Sequence, residues 1–208
     1  MATTTPNYGW PVPTSTDYVK DGATAIEALG DAIDATVFGL GQGLKLINTT
    51  TIGTTVSSIA VNNVFTATYQ NYLVIFNFDT TTTSTVTSLL FRLRKAGTSN
   101  SANEYKANGY VSTSSLTNDN LTSTSQIFGL VNNSFPNLSS ATITFYSPQK
   151  NSKTGYKYDS MGVDGSPVQH ARVGNGYHNV TDSYDGFEII VNSGTMSGGT
   201  IRTYGYGI

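Results

Sequence analysis

Tyr72-Leu-Val-Ile-Phe-Asn-Phe78 is the densest run of aromatic and β-branched residues in the chain and reads as a central β-strand. The same texture spreads from it in both directions. Leu89, Phe91 and Leu93 alternate with Leu90, Arg92 and Arg94, which predicts one buried and one partly wet face. In Ala141-Thr-Ile-Thr-Phe-Tyr146, Ile143 and Phe145 point inward while Thr142, Thr144 and Tyr146 point out. Phe187-Glu-Ile-Ile-Val191 and Thr200-Ile-Arg-Thr-Tyr-Gly-Tyr206 close the chain in the same manner. Weaker strands are expected at Val56–Val61, Phe65–Tyr69, Tyr105–Val111, Gln126–Val131 and Val168–Val173. Asn62-Asn63, Asn108-Gly109, Asp164-Gly165, Gly174-Asn-Gly176 and Asp185-Gly186 read as turns between them. The Thr/Ser runs at 79–88 and 112–125 read as exposed loops or strand tips. Strand after strand from residue 44 to 208, with no helix between, predicts a mainly β fold: a jelly-roll-like β-sandwich.

Composition agrees. The 208 residues include 32 Thr, 22 Ser and 18 Asn, yet 38% are hydrophobic and 11% aromatic, enough for a real core and against wholesale disorder. Only 12% are charged and the formal net charge is −2, which argues against a nucleic-acid partner held by phosphate neutralisation. The absence of cysteine removes disulfides, thiolate catalysis and zinc knuckles. No apolar run approaches a membrane span, so no membrane partner is expected. No secretory signal is expected from the N-terminal sequence, and the five Asn-x-Ser/Thr triplets carry no weight in so Asn- and Thr-rich a chain.

Upstream of the β region lie two further segments. Residues 1–20 hold Pro6, Pro11 and Pro13, the single tryptophan Trp10, and Tyr8 and Tyr18. Prolines stiffen the chain and push their predecessors extended, so this is expected to be an extended attachment arm whose Tyr8, Trp10, Pro11, Pro13 and Tyr18 dock on another protein. Residues 21–43 are expected to form a short amphipathic helix and a Gly-rich hinge, Gly39-Leu-Gly-Gln-Gly43. Thr24-Ala-Ile-Glu27 has the capping-box pattern. Ile26, Leu29, Ile33, Val37 and Leu40 fall within an arc of roughly 80° on a helix, with Glu27, Asp31 and Asp34 about 120° away. A helix this short is marginal alone, so the seam must be buried, either on the chain's own β region or against copies of itself. The narrow seam and following hinge favour self-association.

Catalytic patterns are absent: there is no Gly-x-Ser-x-Gly elbow and no phosphate loop, and Gly39-x-Gly41-x-Gly43 follows a helix instead of opening one. His170 and His178, with Asp164, Asp182 or Asp185, match no metal spacing. The acids of the β region are few and sit in turn contexts, a poor source of a glycosidase carboxylate pair. No enzyme activity and no cofactor are expected. A binding face is a fuller reading: Tyr105, Tyr110, Tyr156, Tyr158, Tyr177, His178 and Tyr184 lie beside Asn, Asp and Ser residues in expected loops. Rings stack on sugar C–H surfaces while amides take hydroxyls. Arg92, Arg94, Lys95, Lys150, Lys153 and Lys157 read as solvated charges at strand edges.

The stretch from Tyr8-Gly-Trp-Pro-Val-Pro to Ala-Ile-Glu-Ala-Leu-Gly-Asp-Ala-Ile-Asp34 resembles the N-terminal attachment segment of tailed-bacteriophage virion proteins, the minor tail proteins and short fibres. Gly43-Leu-Lys-Leu-Ile47, Thr51-Ile-Gly-Thr-Thr-Val-Ser-Ser-Ile59, Val64-Phe-Thr-Ala-Thr-Tyr-Gln-Asn-Tyr72 and Gly198-Gly-Thr-Ile-Arg-Thr-Tyr-Gly-Tyr206 resemble a C-terminal module of the same proteins. Residues 79–186 resemble nothing in that family, which suits a fixed scaffold carrying a variable face. The resemblance implies a non-enzymatic virion-surface component, a homotrimer attached through residues 1–20 to other virion proteins. Its head would face a host surface glycan or protein. A trimeric tail fibre or receptor-binding tip is the first expectation; a capsid decoration or head-fibre protein is the alternative.

Overall fold

In a computed structural model of the chain, residues 3–14, 16, 18–40, 43–81, 87–112, 116–124, 127–133, 139–163 and 169–207 are described. The chain divides into two compact units, Met1–Lys45 with Gly207–Ile208, and Leu46–Tyr206. The segments expected as separate arm and helix therefore belong to one unit.

In that N-terminal unit the arm is not simply extended. β1 (Thr3–Thr4) pairs antiparallel with β2 (Pro11–Val12), in the register Thr3↔Val12 and Thr4↔Pro11. Thr5 N–H donates to the Trp10 carbonyl (2.9 Å), and Gly9, at φ +67°, turns the chain and donates to the Thr5 carbonyl (3.0 Å). Each strand of a two-stranded ribbon is an edge, where a proline without an N–H is tolerated. A short 3₁₀ turn, Val19–Asp21, leads directly into α1 (Gly22–Leu40). Thr24 and Glu27 thus lie inside the helix and do not cap it. β2 packs on α1, and Trp10 Nε1–H donates to Thr36 Oγ1 (2.9 Å).

The second unit is all β. Its strands are β3 (Leu44–Thr51), β4 (Ser58–Val61), β5 (Asn71–Phe78), β6 (Thr80–Thr81), β7 (Thr87–Lys95), β8 (Thr98–Ser99), β9 (Tyr105–Ser112), β10 (Leu116–Thr124), β11 (Ile127–Asn133), β12 (Ser139–Tyr146), β13 (Ser152–Val163), β14 (Gln169–Asp182), β15 (Gly186–Val191), β16 (Met196–Ser197) and β17 (Thr200–Tyr206). One sheet runs β10-β9-β14-β13-β12-β5-β17-β3 and the other β11-β7-β15-β4. Set β9, β10, β13 and β14 aside, and the remaining order is β3-β17-β5-β12 facing β4-β15-β7-β11. The chain visits these eight strands so that first pairs with last and each crossing folds inside the previous one, the two interlocked Greek keys of a jelly roll. The expected β-sandwich is the fold.

The four additional strands are two insertions. β9 and β10 lie between β7 and β11 in the chain, β13 and β14 between β12 and β15, and they meet at the β14–β9 pairing. Together they widen one sheet beyond β12. Residues 112–125, expected as an exposed loop or edge-strand tip, supply β10, which lies at the edge of the sheet and pairs only with β9; 113–115 and 125 lie outside the described residues. Phe65–Tyr69 is not a strand but a turn, held by the Tyr72 hydroxyl, which accepts from Thr66 N–H (2.7 Å) and donates to the Thr66 carbonyl (2.6 Å).

The core lies between the sheets. β5 alternates perfectly, burying Tyr72, Val74, Phe76 and Phe78. Phe145 of β12 meets Phe65, Phe91 and Phe187 at ring separations of 5.2, 5.2 and 5.8 Å. Each such buried side chain contributes roughly 1.5–3 kcal/mol.

Candidate functional site

The register of the widened sheet decides which tyrosines can meet a ligand. Tyr156 and Tyr158 on β13 point inward, opposite Gly176 and Gly174 on β14. The glycines expected as a Gly-Asn-Gly turn, and Gly109 as well, are mid-strand positions over which these phenols lie. A Cβ on Gly176 would fall 2.7 Å from Tyr156 Oη, and one on Gly109 3.1 Å from Tyr158 Oη. Tyr156 Oη–H donates to the Lys106 carbonyl (2.6 Å). Burial holds the Tyr156 and Tyr105 phenols protonated, far above the usual range.

His178, Tyr105 and Tyr184 form a second interior group. Tyr105 lies 4.1 Å from the His178 ring, ring centre to ring centre, and Tyr184 Oη is 2.9 Å from His178 Nδ1. Asn100 Nδ2–H donates to Tyr184 Oη (3.0 Å), so the hydroxyl links the amide to the imidazole. Burial lowers the His178 pKa to about 4, against the pull of Glu104 and Asp182, so the ring is neutral. The Tyr184 phenol is pushed up to about 12, mainly by burial. Tyr105, Tyr156, Tyr158, His178 and Tyr184 are therefore core residues, not a ligand face: they occupy strand and core positions where loops were expected.

Tyr110 and Tyr177 do reach solvent, at 53% and 40% exposure. The pairings place them on one outward face with a residue that sequence reasoning left out, Tyr146. One row across the strands is Tyr146, Gly155, Tyr177 and Lys106; the next is Thr144, Lys157, Asn175 and Asn108; the third is Thr142, Asp159, Val173 and Tyr110. Lys153 Nζ stands 5.7 Å from the Tyr177 ring centre. Lys153 and Lys157 thus lie mid-sheet, not at an edge. Outward alternation marked Tyr146 in the sequence; that it shares a row with Tyr177 follows only from the pairing of β13.

No His, Cys, Asp and Glu group among the described residues has the make-up of a metal site. Asp164 lies outside them, and Asp182 is bound to Lys95 (2.5 Å), which lowers its pKa. Arg94 is also engaged, 3.7 Å from Glu188.

In the N-terminal unit, Tyr8 stacks on Trp10 at 5.2 Å, Pro11 and Pro13 are half-buried, and Tyr18 is exposed beneath the Lys20 ammonium (5.5 Å). The helix seam is split. Leu29 joins the half-buried stripe of Ala25, Ala32 and Thr36, and Ile33 is half-buried. Ile26 and Val37 are 65% and 59% exposed, next to an exposed Phe38. The Leu40 side chain lies outside the described residues. None of the described residues from Thr3 to Lys45 is fully buried.

No protein-family model matches the chain, and no curated protein matches it. Among solved structures it is similar to the CBM2 module of the evolved Dit of Lactobacillus casei BL23 phage J-1, at 9% identity and a TM-score of 0.26, over 80% of this chain and 98% of that one. A likeness that slight carries no argument about ligand or role.

Proposed function

We propose that the chain is a non-enzymatic structural protein of the virion surface of a tailed bacteriophage, a trimeric tail fibre or receptor-binding tip. The observation that carries this reading is the contrast between the two units. The jelly roll closes a full core of its own, whereas among the described residues the hairpin and helix bury none completely and leave Ile26, Val37 and Phe38 in solvent. A helix of this length needs tertiary cover to persist. Copies of the chain, meeting along Ile26, Ile33 and Val37, would supply it, and the Trp10 hairpin would dock on a neighbouring virion protein. The resemblance of Tyr8–Asp34 to phage attachment segments supports the same assignment and is the source of the trimer.

The jelly roll would then be the outward head, presenting the face that carries Tyr110, Tyr146 and Tyr177 to the host. Cryo-electron microscopy of the intact particle tests this. Density at the tail with the sandwich pointing away is expected. Density on the capsid lattice, with the hairpin between capsomers, would make the chain a decoration protein and overturn the receptor reading.

A further inference from the structure

We infer that the outer face of the β12–β13–β14–β9 sheet binds an acidic polysaccharide, its chain lying across the strands on Tyr146 and Tyr177. The inference rests on the receptor-binding reading and names its ligand. Tyr146 and Tyr177 are two strands apart in one row, so their backbones are roughly 9.5 Å apart, with Gly155 between them. A Cβ on Gly155 would lie 3.5 Å from Tyr146 Cβ and Cδ2, so the Tyr146 ring leans over this glycine and no side chain of β13 rises between the two tyrosines in this row. Two stacking surfaces separated by a shallow gap suit a disaccharide repeat, each ring taking the C–H face of a sugar.

Charge selects the class. Lys106, Lys153 and Lys157 share this stretch of sheet, in a chain whose net charge is −2. The acids beside them are Asp159 and Glu104, whose carboxylate accepts from Asn179 Nδ2–H (2.9 Å), so the three lysines still outnumber these two carboxylates. A uronic-acid carboxylate would draw the Lys153 ammonium from the Tyr177 ring and free that ring for stacking, so charge and stacking act on the same sugar. Three of the four strands of this face, β13, β14 and β9, come from the two insertions, while Tyr146 stands on β12 of the jelly roll itself.

The test is calorimetric titration of the full chain with oligomers of polygalacturonate, alginate and hyaluronate, with dextran as the neutral comparator. Binding to at least one polyuronate is expected, weakening with added salt. Tyr146→Ala and Tyr177→Ala should each weaken it about tenfold or more, and Lys153→Gln with Lys157→Gln should flatten the salt dependence. Lys153 and Lys157 are exposed, so their variants should keep the melting temperature, while Tyr146→Ala and Tyr177→Ala, at 43% and 40% exposure, should lower it only slightly and leave the chain folded at the titration temperature. No polyuronate binding, equal binding of dextran, or unchanged affinity in the tyrosine variants would each overturn the inference. A competition assay separates the two levels, with free chain blocking adsorption of the parent particle to its host. If wild type blocks adsorption but binds no polyuronate, the receptor reading stands and the acidic-glycan inference falls. If wild type does not block, the receptor reading itself falls.

Discussion

The phenol of Tyr158 on β13 fills the space that Gly174 on β14 leaves empty, and a Cβ at Gly174 would collide with it. Two residues along, Tyr156 covers Gly176 in the same way. A ring laid over a cross-strand glycine restores packing that the glycine forfeits. Gly174→Ala is therefore expected to cost about 1–3 kcal/mol by overpacking, in urea unfolding. Combined with Tyr158→Ala it should cost less than the sum of the single changes, since the clash with the phenol is then gone and only the Asn108 carbonyl, 2.8 Å from the added Cβ, still crowds it. Additive costs would show that the two positions do not share the space.

This pairing explains where the sequence was legible and where it was not. β5 and β12 were readable because apolar alternation reports directly which side of a strand is buried. In Gly174-Asn-Gly176 and Asn108-Gly109 the local signal is that of a turn, and it is the partner strands, with their close backbone and the rings of Tyr156 and Tyr158, that make them strand positions. For the same reason five of the seven residues expected on a ligand face proved to be interior. Tyrosine and histidine among Asn and Gly look solvent-facing until the partner strand is known. Tyr110 and Tyr177 do reach solvent, Tyr146 was not among the expected residues, and the row joining Tyr146 to Tyr177 depends on the register of β13. In the arm, proline count outweighed the turn at Gly9.

His178 makes stability depend on pH. Its folded pKa is lowered to about 4 from an ordinary 6.5, because burial disfavours the imidazolium. Between those values the unfolded chain takes up a proton that the folded chain refuses. The contribution is thus complete above pH 6.5, is lost as pH falls toward 4, and amounts to about 3 kcal/mol at most. Denaturant unfolding at pH 7 and pH 4 should show a larger loss for wild type than for His178→Gln. The charged imidazole also helps to hold the Asp182 carboxyl low, so the difference reports His178 together with that smaller coupling. An equal loss in both would mean His178 is protonated in the folded state.

Tyr72→Phe tests the turn at 65–69. The hydroxyl both accepts from and donates to the Thr66 backbone, and also lies 3.1 Å from the Tyr69 carbonyl. Removing it leaves the Thr66 N–H without that acceptor while the ring still packs on Phe65 at 4.8 Å. A loss of about 1–2 kcal/mol is expected, with faster amide exchange at Thr66. Unchanged exchange there would mean that the turn does not depend on Tyr72.

The helix flank offers a test in which a monomer and an assembly predict opposite results. In the single chain Ile26 and Val37 are mostly exposed, so replacing both by serine should change stability by no more than about 0.5 kcal/mol per site. If copies bury that flank, each change instead removes roughly 1.5–3 kcal/mol of burial from the interface. Leu29 is left in place because it faces the half-buried side of the helix with Thr36, to which Trp10 is bonded. Sedimentation velocity of Ile26→Ser with Val37→Ser should show the native oligomer reduced to single chains. The jelly roll should melt at its original temperature, because its core contains neither residue. Retention of the native mass would show that the helix is not the assembly element, and would leave the Trp10 hairpin as the remaining contact surface of the N-terminal unit.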